Sequence, residues 1–147
     1  MFATLIPSVG IWFLIACTIE ALAVFVEQAG AVRSPEEDEP RKRASALIAL
    51  LLSLITPGLL LAHGFLTTQA QDQTSRLLAM AAPIAAVLAG ALLGAIAGAM
   101  AKAIAPVMRA LAMPFDLMAF GVAIYATLPT IRVLIEAAQN NGVIVAP

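Results

Sequence analysis

The chain is short of charge. Of its 147 residues, 12% are Asp, Glu, Lys or Arg and 62% are hydrophobic, where an ordinary soluble domain has about 25% and about 45–50%. That much apolar surface cannot be buried in one small aqueous core, so the expected solvent is a lipid bilayer. Positive charge is not in excess either. The net charge is −1, which removes the general electrostatic attraction that a nucleic-acid partner would need. A single cysteine, Cys17, excludes an internal disulfide and any multi-cysteine metal site. Trp12 and Tyr125 are the only Trp and Tyr, too few for a strong aromatic belt. Phosphate-binding loops, the dinucleotide glycine fingerprint and metalloprotease motifs are all missing. No Cys/His/Asp set supports nucleophilic catalysis. These absences predict a protein that is not an enzyme and that needs no cofactor and no metal.

What the chain does have is four apolar runs, at about 5–27, 44–67, 77–101 and 114–135. Each is about 20–25 residues, enough to cross about 30 Å of hydrocarbon as a helix. The expected fold is therefore an all-α integral membrane protein, a four-transmembrane-helix bundle forming one membrane domain over 1–147. Met1 to Ile19 carries no charged side chain. A secretory signal would begin with a positive region, so this start is read as a retained first span.

The connections are polar. Residues 28–43 hold an acidic stretch, Ser34-Pro35-Glu36-Glu37-Asp38-Glu39-Pro40, followed by Arg41-Lys42-Arg43, a solvated loop with a stop-transfer-type basic cluster. Thr68 to Arg76 is a short Gln- and Thr-rich loop. Lys102 to Met113 reads as a connector lying in the interface, with Lys102 and Arg109 on one face. Gln139-Asn140-Asn141-Gly142 reads as a helix stop. The two halves show no convincing similarity, so an inverted-repeat transporter has no support within the chain. Arg33, Arg41, Lys42, Arg43, Lys102 and Arg109 fall on one side, Arg76 and Arg132 on the other. The positive-inside rule then predicts both termini outside, N-out/C-out, with loop 28–43 cytoplasmic. The Ala-rich composition is associated with GC-rich bacterial genomes, which makes a bacterial inner membrane the expected location.

In the third run Gly90, Gly94 and Gly98 recur at four-residue spacing, with Ala91, Ala97 and Ala101 beside them. Four residues return to nearly the same helix face, so these make one smooth, glycine-zipper-like stripe. Leu88, Leu92 and Ile96 face away from it. Interior glycine costs about 1 kcal/mol relative to alanine in a helix, but in lipid small residues let another helix backbone come close. The stripe is the candidate helix-packing interface, against this chain or another.

Few residues could carry chemistry. Glu20 stands inside the first run, and a carboxylate there is by default a functional hypothesis. With that span ending near Glu27 it sits about 10 Å above the inner boundary. His63, late in the second run, is the second candidate for proton or ion binding, although it is expected near the outer interface and away from Glu20. Pro57-Gly58 is a candidate hinge. Pro57 frees the carbonyl of Ser53, and the hydroxyls of Ser53 and Thr56 are placed to help the disturbed backbone. Asp116, two residues after Pro114, reads as an acid favoured by the start of a helix. Arg132 snorkels at the far end of the same span.

Two functions follow. The first is a non-enzymatic assembly or accessory subunit that forms a homo-oligomer or joins a larger membrane-protein partner through the glycine face. The second is a small oligomeric channel or proton/cation-coupled transporter using Glu20.

Overall fold

A computed structural model describes residues 10–31, 40–67 and 73–140, with the side chains of the second helix described from Leu47 onward. The start of the first span, most of the acidic loop, loop 68–72 and the tail after Asn140 lie outside the described residues. The described chain is all-helical: α1 (Ile11–Gly30), α2 (Pro40–Thr67), α3 (Gln73–Met100), a 3₁₀ turn (Lys102–Ile104) and α4 (Ala105–Asn140). All four α-helices are long and apolar enough to cross a membrane.

Local chemistry sets several of the ends. Gly10 precedes α1 at φ 81, in the region that only glycine occupies without penalty. Past Gly30 the chain leaves α1 with the Ala31 N–H donating to the Gln28 carbonyl at 3.2 Å. α2 begins on Pro40, where a missing N–H costs nothing because the first N–H groups of a helix have no internal partner. At its other end Thr67 Oγ1 donates to the His63 carbonyl at 2.6 Å.

The prolines are where sequence and structure part. Pro83, Pro114 and Pro129 lie inside α3 and α4 without ending them, as Pro57 does in α2. Membrane helices tolerate this because neighbouring groups satisfy the freed carbonyls. The consequence is largest in α4, which starts at Ala105 and runs for 36 residues. The stretch 102–113 is thus not a separate interfacial segment. It is the 3₁₀ turn followed by the first turns of α4.

The packing fixes relative directions. Gly90, Gly94 and Gly98 of α3 face Ala21, Phe25 and Ala29 of α1, so numbers rise together and these two helices are parallel. Gly30 of α1 meets Met108 and Arg109 of α4, while Trp12 stacks edge-to-face on Tyr125 with centroids 5.1 Å apart. Those helices are antiparallel. Gly64 of α2 lies against Ala79 of α3.

The buried centre is made mostly of small residues around Phe13 and Leu60. Phe13, Ala16, Cys17, Leu60, Ala79, Ala123 and Ala126 form its apolar cluster. Leu54, Leu88, Leu92 and Val133 are each 64% exposed, whereas Glu20, Thr56, His63, Asp116, Thr127 and Thr130 are buried. This inversion has a simple cause. Lipid tails are as apolar as leucine, so nothing drives large aliphatic side chains inward, and close packing favours small ones. Buried polar groups inside and leucines outside are the arrangement of a multi-pass membrane protein.

Candidate acidic site between the first and fourth helices

Glu20 lies nine residues from Ile11 and ten from Gly30, at the middle of a helix barely long enough to span the hydrocarbon. It is 2% exposed. Glu27 is seven residues further on and partly buried, on a similar face. The third member comes from α4. Because Gly30 meets Arg109, Asp116 stands one heptad above that level on the opposing helix. At 1.5 Å per residue, Glu27 is about 4.5 Å, Asp116 about 10 Å and Glu20 about 15 Å above the Gly30–Arg109 level.

Glu20 is buried, and Asp116 and Glu27 are near enough to act on it with charges of its own sign. Glu27 likewise acts on Asp116. Asp116 is 4% exposed, and its Oδ2 is buried with no hydrogen-bond partner. A buried acceptor left unmade costs about 1–3 kcal/mol, and more when charged. Such an atom in a native fold is explained by strain, a catalytic role, or a bound water or ion; a bound proton would also relieve the cost of its charge. At the foot of the site Arg109 Nε donates to the Gly30 carbonyl at 3.2 Å, which holds the C-terminus of α1 to α4.

Asp116 is the residue that sequence reasoning misplaces. With α4 beginning at Ala105, Asp116 is three turns inside the helix and far from its N-terminal dipole. The usable signal is an acid within the apolar run on both sides of Pro114, provided the proline is not taken as a boundary.

His63 sits in a second polar layer. Its Nδ1 and Thr130 Oγ1 are 2.8 Å apart, its ring lies 5.5 Å from Phe13, and it is buried. Phe13 is one heptad from Glu20, about 10 Å along α1, so His63 and Glu20 belong to different layers. Next to Thr130 an open pocket of about 300 Å³ is lined by Leu66, Thr67, Pro129, Thr130, Val133 and Leu134.

The glycine stripe is buried against α1. A Cβ on Gly98 would come within 2.9 Å of the Ala29 carbonyl oxygen; on Gly90 and Gly94 it would collide with the carbonyls of Ala21 and Phe25. Ala91, Ala97 and Ala101 flank this contact, partly buried. At the candidate hinge, a Cβ on Gly58 would meet nothing within 4 Å. The nearby hydroxyls serve other carbonyls than the one Pro57 frees: Ser53 Oγ donates to Leu50 at 3.0 Å and Thr56 Oγ1 to Leu52 at 2.8 Å. Arg132 is exposed.

Comparison with protein-family models, characterised proteins and solved structures finds no match to this chain.

Proposed function

We propose that this is a non-enzymatic membrane protein that takes a proton or a small cation at Glu20 and Asp116, acting as a small channel or proton/cation-coupled transporter. The observation that carries the reading is the unpartnered Oδ2 of Asp116, buried beside Glu20 near the middle of α1. Intramembrane carboxylates are expensive and mark ion and proton pathways. The orientation assigned to it is N-out/C-out in a bacterial inner membrane, which puts the Gly30–Arg109 end of the bundle on the cytoplasmic side. A reporter fused after Pro147 should behave as external; a cytoplasmic signal would reverse that assignment.

The test is flux. Purified protein in liposomes is given an imposed pH or cation gradient, and internal pH or cation concentration is followed by dye. Wild type should carry flux and Glu20→Gln should fall to the level of empty liposomes while still inserting. No flux in the wild type, or unchanged flux in Glu20→Gln, sinks the proposal.

The assembly-subunit reading rests on the glycine stripe as a free docking face. With α1 seated on Gly90, Gly94 and Gly98, a partner would instead have to take the leucine side of α3, at Leu88, Leu92 and Ile96, which lipid covers equally well. Purification in mild detergent tests this second reading. It requires a stoichiometric companion that survives the purification.

A further inference from the structure

We infer that the ligand of the acidic site is a proton and that it arrives from one end of the bundle only. Glu27, Asp116 and Glu20 form a carboxylate ladder from the Gly30–Arg109 end to the middle of α1, and an apolar layer closes the way beyond. This deepens the ion-site reading above and rests on it.

The ligand class follows from how the carboxylates are distributed. Their heights differ by steps of about 5 Å, and among the described residues no three His, Cys, Asp or Glu side chains gather closely enough to hold a metal ion. A hard cation such as calcium needs about 6–8 oxygens converging on one point. A proton needs one. Asp116 Oδ2 offers one acceptor, buried and unused, at the middle rung.

The one-sidedness follows from what surrounds the rungs. On α1 the other titratable neighbour is Cys17, a buried free thiol close enough to feel the charge of Glu20. α4 contributes Asp116 and, at the foot, Arg109. α3 has no titratable residue between Leu77 and Met100, and α2 has none between Leu47 and Ala62. Against this part of α1, α3 presents Gly90 and Gly94, whose close approach seals that side. Above Glu20 the buried cluster is Phe13, Ala16, Cys17, Leu60, Ala123 and Ala126, and the buried hydroxyls of Thr56 and Thr127 are turned back onto the Leu52 and Ala123 carbonyls of their own helices. His63 and Thr130 lie on the far side of that layer, at the ring of Phe13.

The step is a proton transfer in which water is the only other participant. At the foot a hydronium ion gives a proton to the Glu27 carboxylate and leaves water, so one O–H bond breaks as another forms. Single water molecules between the rungs relay it: passage to Asp116 restores the Glu27 carboxylate, and passage to Glu20 restores that of Asp116. Each proton held cancels one negative charge in the bundle.

A hydrophobic carbodiimide, which couples to protonated carboxyls in apolar surroundings, tests this independently of transport. The full chain is placed in lipid vesicles of known orientation, treated with dicyclohexylcarbodiimide, and mapped by mass spectrometry. The expected result is modification of Glu20 or Asp116 that is lost when pH is raised on the Gly30–Arg109 side, unaffected by pH on the other side, and unaffected by sodium, potassium or calcium. No modification at either residue overturns the inference, and so does protection by one of those cations at constant pH. Equal response to pH on both sides overturns the one-way arrangement. Phe13→Ala, which opens the apolar layer, should make modification respond to both sides. Phe13→Leu, which keeps the layer filled, should behave as wild type and shows whether the bundle tolerates change there. Modification without flux would remove the transport reading and leave the proton site. Flux without modification would do the reverse.

Discussion

One helix carries two opposite interfaces. Where α1 meets α3 the contact is made by removing side chains: glycines at four-residue spacing lie on the carbonyls of Ala21, Phe25 and Ala29. Where α1 meets α4 the contact keeps its side chains, and these include Glu20, Glu27 and Asp116. The first interface has no room for a water or an ion and gains from close backbone packing. The second holds a buried oxygen without a partner and therefore stores a cost. The difference teaches where to look in a small membrane bundle. The tight face builds the scaffold, and the face that tolerates an unmet polar group is the one to which we assign the proposed ligand.

The largest effect should come from breaking the tight face. Gly94→Leu drives a side chain into the Phe25 carbonyl and to within 2.9 Å of Gln28 Cβ. Overpacking against side chains alone costs about 1–3 kcal/mol, and here the obstacle is backbone, so loss of the folded monomer is expected. Unfolding in detergent by circular dichroism against added SDS measures it. Wild-type stability in Gly94→Leu would show that the α1–α3 contact is not close.

The acidic face should respond with the opposite sign. Asp116→Asn replaces an unpartnered buried carboxyl that can bear charge with a neutral amide and should stabilise the bundle by about 1 kcal/mol while abolishing flux. The same unfolding assay, run beside the liposome assay, checks both halves. A destabilised Asp116→Asn would mean that Asp116 has a structural partner and that the two interfaces do not differ as described.

Smaller effects calibrate the comparison away from α1's midpoint. Thr130→Val removes the partner of His63 Nδ1 and should cost about 1 kcal/mol without altering flux driven through Glu20. A fall in flux equal to that of Glu20→Gln would join the two polar layers into one site. Smallest is Trp12→Leu, which removes the edge-to-face pair with Tyr125. Both rings are about half exposed, so a loss of about 0.5–1.5 kcal/mol is the upper range. Tyr125→Leu should match it, and the double variant should cost no more than either alone if the pair is the whole effect.

Much of this is legible in the order of the amino acids. The glycine stripe is visible because helix periodicity is local: residues four apart share a face whatever surrounds them. The exposure of Leu88, Leu92 and Ile96 follows from the same count. Glu20 stands out because an acid inside an apolar run needs no neighbour to be conspicuous. Asp116 is hidden for the complementary reason. Pro114 suggests a boundary on local grounds, and only the packing of α4 against α1, held by Gly30 on Arg109, carries the helix through it and turns the acid inward.

Composition and periodicity by themselves determined that this protein is a set of apolar helices, that one has a smooth face, and that one holds a carboxylate, since each of these depends on the order of residues within about two turns. They left undecided which helix fills the smooth face and which groups surround the carboxylate. Those are relations between segments far apart in the chain, from Phe25 to Gly94 and from Glu20 to Asp116. Direction, register and close approach of whole helices set them, and those are properties of the tertiary structure alone.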